Sequence, residues 1–114
     1  MVDLLAALNT GHEGGAGTVH ANSAGGVPAR LEALAALGGI GREALHAQLT
    51  GAIRVVLHVR REGQRRVLHE IAVVQRGSAG WAEAVPAIVA GRPCEPGHEV
   101  LAGMLRERGE AVPW

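Results

Sequence analysis

The stretch Thr10-Gly11-His12-Glu13-Gly14-Gly15-Ala16-Gly17-Thr18-Val19-His20-Ala21-Asn22-Ser23 decides how the chain is read. It sets two histidines eight residues apart, across a glycine-rich loop and into a short β-type run, Thr18 to Ala21. Thr10, Thr18, Asn22 and Ser23 surround them with small hydrogen-bonding groups. Glycine lets the backbone approach a bulky or charged group closely. A histidine at a strand end donates to a phosphate oxygen or holds a water, and an ordinary pKa of about 6.5 permits either near neutrality. Spacing alone leaves open a polar turn with capping residues. It also leaves open a zinc site, although His12, His20 and Glu13 have no recognised zinc-ligand spacing.

Upstream, Val2 to Leu8 reads as a short helix that opens at Met1 without an N-cap, as if cut from a longer reading frame. Downstream, Asn22 to Gly26 breaks the chain and Pro28 opens a helix at a position proline tolerates. Leu31, Leu34, Ala35 and Leu37 form its apolar face, and Gly38-Gly39 stops it. A second helix runs from about Arg42 to Ala52, with Ala44, Leu45, Gln48 and Leu49 at helical spacing. Arg54–Arg61 and Arg65–Gln75 are valine-rich strands joined at Glu62-Gly63-Gln64, an antiparallel hairpin. After a turn at Arg76–Gly80, Trp81–Val89 reads as a third strand, which Pro86 confines to an edge. Gly91-Arg92-Pro93 and Pro96-Gly97 mark a loop. His98 to Arg108 then forms a last helix ended by Gly109, with Val100, Leu101, Met104 and Leu105 on one face. The class is α/β: a short strand, helices, an antiparallel hairpin and a helical tail. A strand such as 18–21 normally has neighbours, so its open edges predict self-association of the isolated chain.

The composition narrows the function. The chain has 114 residues, enough for one small domain. Its 11 basic residues are all arginine and balance 11 acidic ones. Without lysine it holds neither a Walker A phosphate loop nor a lysine nucleophile. A balanced charge argues against a polyanion-binding surface. A lone cysteine, Cys94, excludes an internal disulfide and a CxxC knuckle, which fits a reducing compartment. The apolar runs fall short of the ~20 residues a membrane span needs, and there is no signal peptide. These features predict a soluble, cytoplasmic chain. Alanine and glycine fill 37 positions and phenylalanine and tyrosine none, so its core buries little area per side chain.

Asp3-Leu4-Leu5-Ala6-Ala7-Leu8-Asn9-Thr10-Gly11-His12-Glu13-Gly14, with Gly17-Thr18-Val19-His20-Ala21-Asn22-Ser23, resembles the histidine box of the type II/type IV secretion ATPases. Within that family it is most similar to the Tad/Flp pilus-assembly branch. The similarity continues through Ala29–Leu34, Gln48–Ile53, Val55–Val59 and Glu70–Val74, about residues 2–75 in family order.

The resemblance implies part of a RecA-like P-loop NTPase core in residues 1–76, with a family C-terminal extension in 77–114. In the family, Walker A, an acidic box and Walker B precede the histidine box, so this sequence resembles the part that follows them. His20 matches the second histidine of the box, implying a γ-phosphate contact or sensor; His12 matches the first, a supporting contact. Thr10, Gly11 and Asn22 shape the nucleotide-facing loop. Glu13 matches an acidic position without an assigned role. Arg54 stands where many relatives have aspartate. ATP and magnesium are implied for the full-length motor and are not expected to bind this chain alone. The implied partners are a homo-hexameric ring and inner-membrane platform proteins, at the cytoplasmic face of the membrane, with no nucleic acid and no membrane insertion. The other reading is a non-catalytic docking module of a secretion machine; a small metal hydrolase ranks third.

Elsewhere, His58 and His69 are expected as cross-strand neighbours on an open sheet face, and His46 as a solvated residue on the polar side of its helix. His98 is expected in the first turn of the last helix. Arg60-Arg61 and Arg65-Arg66 flank the hairpin turn as a solvated tip or a subunit contact. Cys94 reads as incidental, and Trp81 and Trp114 as packing or interface anchors.

Overall fold

The computed structural model describes residues 21–112. The Val2–Leu8 helix, the Asn9–Gly17 loop, the Thr18–His20 part of the short strand and Trp114 lie outside them. From Ala21 the chain enters a single 3-10 turn, Ala24–Gly26, capped by Ser23, whose Oγ accepts the Gly26 N–H at 3.3 Å. Helix α1 (Val27–Leu37) follows, with proline in its first turn. It buries Val27, Leu31 and Ala35, each four residues from the last. Leu37 falls off that stripe and is 86% exposed, which corrects its expected place on the apolar face.

The glycines at the end of α1 stop it by a defined mechanism. Gly39 takes φ +80°, a left-handed value that a side chain resists. This turns the next amides back onto the helix: Gly39 N–H donates to Ala36 O and Ile40 N–H to Ala35 O. Helix α2 (Arg42–Ala52) buries Leu45, His46 and Leu49. Its buried face is rotated from the expected one, because Ala44 is exposed and His46 takes the inner position.

The sheet has four antiparallel strands in the order β1-β2-β3-β4: β1 (Val55–Glu62), β2 (Arg65–Arg76), β3 (Ala82–Val89) and the two-residue β4 (Arg92–Pro93). The β1–β2 hairpin turns through Gly63-Gln64, with φ +62° at Gly63, where glycine is the natural first turn residue. The β3–β4 turn needs positive φ at both central residues, and Ala90 (51°) and Gly91 (79°) supply it. Pro86 sits where its missing N–H harms least. β4 pairs only with Ile88 and Val89, so no described strand beyond β2 pairs with β3 at Pro86.

Helices cover both faces of the sheet. On one face α1 and α2 pack Val27, Leu31, Leu45 and Leu49 against Ala82, with Val56 and Val74 beside them. On the other, helix α3 (Gly97–Glu107) packs Leu101 against Ile71, Val73, Ala87 and Ile88. α3 ends as α1 does: Gly109 takes φ +76° and Glu110 N–H returns to Leu105 O. β3 pairs with β2 from Arg76 to Glu70, so the sheet runs through the Arg76–Gly80 turn without interruption. The described residues are thus a mixed α/β fold with an antiparallel sheet.

Candidate functional site

Of the sequence-derived site residues, His12, His20, Thr10, Gly11 and Glu13 lie outside the described residues, and Asn22 lies within them. Asn22 is exposed and lines an open recess with Ala21, Gly26, Ala29 and Arg30. Arg30 and Asn22 therefore share a recess beside Ala21, the first described residue.

Just beyond Asn22 and Ser23 the chain is fastened. Ala24 donates its N–H to Glu70 Oε1 at 3.0 Å, across 46 residues of sequence. Glu70 is an acidic residue inside the apolar strand β2, and a carboxylate in such a place needs a donor. In the sequence Glu70 reads only as part of a matching strand; its charge amid valine and isoleucine is the available sign of a tether. His58 lies directly opposite Glu70 in the strand register. A bulge at this point leaves His69 as an extra residue of β2, so its ring meets His58 edge-on at 6.4 Å rather than pairing in register. His58 Nδ1 is buried without a hydrogen-bond partner among the described residues, and Arg60 Nη1 lies 3.3 Å from His69 Nε2. Two imidazoles do not make a metal centre: among the described residues no group of three or more metal-ligating side chains exists.

A second polar cluster corrects the reading of His46. It is 4% exposed rather than solvated. Its Nδ1 accepts the Ala82 N–H at 2.8 Å, so Nε2 carries the proton and donates to Glu32 Oε1 at 2.9 Å. This one side chain pins α1, α2 and the start of β3 together. The Glu32 carboxyl is held below its ordinary value, first by the His46 hydrogen bond and against the opposing effect of burial, with the Arg42 charge assisting. Arg42 pairs with Glu32 and lies 4.5 Å over the Trp81 ring, a cation–π contact. Trp81 is thus the packing anchor expected of it. His98 sits in the first turn of α3, as expected, with Nδ1 3.2 Å from Glu95 Oε1.

No helix among the described residues is long and apolar enough to cross a membrane. No solved structure matches the chain. Two relatives, from the CDC 1551 / Oshkosh and H37Rv strains of Mycobacterium tuberculosis, are named as conjugal transfer proteins. Each is 56% identical over 112 residues, a span of 97% of this chain and 32% of the relative. The chain therefore covers about a third of the length of these curated relatives. The type II/IV secretion system protein family matches residues 1–99, which run from before the paired histidines, through the Glu70-tethered turn and both hairpin strands, into α3. With a match of that extent, the chain belongs to the type II/IV secretion system protein family.

Proposed function

We propose that this chain is the part of a secretion or pilus-assembly motor ATPase that follows the Walker motifs in family order. It carries the histidine box, with His20 sensing the ATP γ-phosphate and His12 supporting it. Thr10, Gly11 and Asn22 shape the loop that faces the nucleotide. In this reading residues 1–76 belong to a RecA-like motor core of the Tad/Flp kind, and 77–114 add an extension through β3 and α3. The assembled motor is a hexameric ring at the inner face of the membrane, working on platform proteins there.

One observation carries the coupling part of this reading. The segment leaving the box is bound at once to two rigid elements. Ser23 caps the turn into α1, and Ala24 donates to Glu70 in the central strand β2. A displacement of His20 toward a phosphate is then felt by a helix and a sheet together.

ATP and magnesium enter through the family. The described residues do not fit a whole nucleotide site, because the chain has no lysine and they include no cluster of three metal-ligating side chains. The phosphates and the metal would be held by groups outside this chain, which alone is predicted not to turn ATP over.

The test is a chimera in which this chain replaces the matching third of a Mycobacterium tuberculosis relative. ATP turnover by the chimera should fall about a hundredfold with His20→Ala, the order of loss for a removed electrostatic contact. Turnover equal to that of the unmodified chimera would overturn the assignment of His20.

A further inference from the structure

The outer hairpin carries an unused surface. β1 is the edge strand of the sheet, with one side of its backbone unpaired by any described strand. Val55, Leu57 and Val59 alternate on one face, and Leu68 joins them opposite Val59. Val55 and Leu57 stand opposite Val73 and Ile71, which α3 covers on that same face. The helix does not cover the β1 side: Leu57 is 60% exposed, and Val59 and Leu68 are each 51% exposed. Three large apolar side chains on an edge strand, with Leu68 of β2 beside them, form the kind of feature that marks an interaction site.

The rim says what fits. Arg61 stands directly opposite Arg66 at the end of the stripe, on the same face. Like charges in that position repel. Arg60 and Arg65 adjoin them, and the sole ion pair of the hairpin tip among the described residues is an exposed Arg60–Glu62 contact at 3.8 Å. A second copy of the chain satisfies this edge poorly, because β1 carries Arg60 and Arg61 against a single carboxylate, Glu62, and in-register parallel pairing sets arginine on arginine. Nucleic acid fits no better, since the centre is aliphatic with no aromatic ring to stack on a base.

We infer that β1 is a docking edge for an extended acidic segment of another protein, which adds as an antiparallel strand with apolar residues over Leu57 and Val59 and carboxylates at the Arg61–Arg66 end. Backbone hydrogen bonds along the edge give affinity, and the arginines fix direction and register. This goes beyond the motor reading and does not rest on it.

The probe is an acetylated octapeptide of alternating valine and serine that opens with two glutamates, beside its counterpart with two lysines. Each is titrated into the isotope-labelled 114-residue chain while backbone amide shifts are followed. The acidic peptide should bind about tenfold tighter or better than the lysine one, with shifts centred on β1. The double variant Arg61→Glu, Arg66→Glu should reverse the order, and Leu57→Ser should weaken the acidic peptide about tenfold while circular dichroism shows the fold retained. The inference fails if the two peptides bind alike, if neither binds, or if charge reversal leaves the preference unchanged. It also fails if the chain pairs with itself through β1, or if a single-stranded oligonucleotide produces the same shifts.

Discussion

The two nitrogens of His46 meet a backbone N–H on one side and a carboxylate on the other, and that settles its place in the interior. Removing its ring nitrogens strands the Ala82 N–H and leaves Glu32 to Arg42 alone. His46→Phe keeps a flat ring but no hydrogen-bonding nitrogen, and it should cost about 2 kcal/mol or more, because a buried donor left unsatisfied costs more than a hydrogen bond gains. A urea-denaturation midpoint unchanged from the parent would contradict this. The Glu32 carboxyl at the other end is held below its ordinary value of 4.5. A depressed carboxyl contributes stability above that value, and the contribution is lost as pH falls through the folded-state value. The parent should therefore lose stability more steeply below pH ~4.5 than Glu32→Gln does, and equal acid slopes in urea melts at stepped pH would refute it. The sequence itself shows why a buried His46 is hard to foresee. Ala44 and Leu45 both suit a buried face by spacing, and only the partners Glu32 and Ala82, on other elements, place His46 rather than Ala44 inside. Glu70 is the more legible case, since a lone carboxylate in an aliphatic strand announces a donor even without coordinates.

At the scale of elements, two glycines of α3 make opposite predictions. Gly97 packs against β3 so closely that an added Cβ would lie 2.0 Å from the Pro86 carbonyl oxygen. Backbone does not yield as a flexible side-chain tip does, so Gly97→Ala should destabilise by about 2 kcal/mol or more. Gly103, in the same helix, has open space where a Cβ would go, with nothing within 4 Å. There Gly103→Ala should stabilise by about 0.5–1 kcal/mol through helix propensity alone. Melting temperatures moving in the same direction would show that α3 does not dock on β3 as described. The elements themselves are largely legible in the sequence. Proline at the start and glycine at the end bracket α1, valine-rich strands flank a glycine turn, and the apolar spacing of α3 survives intact. β4 is not legible, because two residues carry no periodicity and the strand exists only through the Ala90-Gly91 turn that folds it back on β3.

At the scale of the whole molecule, one antiparallel sheet divides the interior into two small aliphatic cores, with α1 and α2 on one side and α3 on the other. A tether at Glu70 connects the central strand to the Ala24–Gly26 turn, which in sequence follows the paired histidines. The family is legible in the sequence because its resemblance rests on local runs of residues, whereas the tether joins residues 46 positions apart. The central claim is that this body registers the presence of a γ-phosphate through His20. Its most direct measurement compares the affinities for ATP and ADP of the chimera with the Mycobacterium tuberculosis relative, before and after His20→Ala. The account predicts that the unmodified chimera prefers ATP, and that His20→Ala brings the ATP-to-ADP affinity ratio close to one while ADP affinity stays unchanged. A ratio unaltered by the substitution would contradict it.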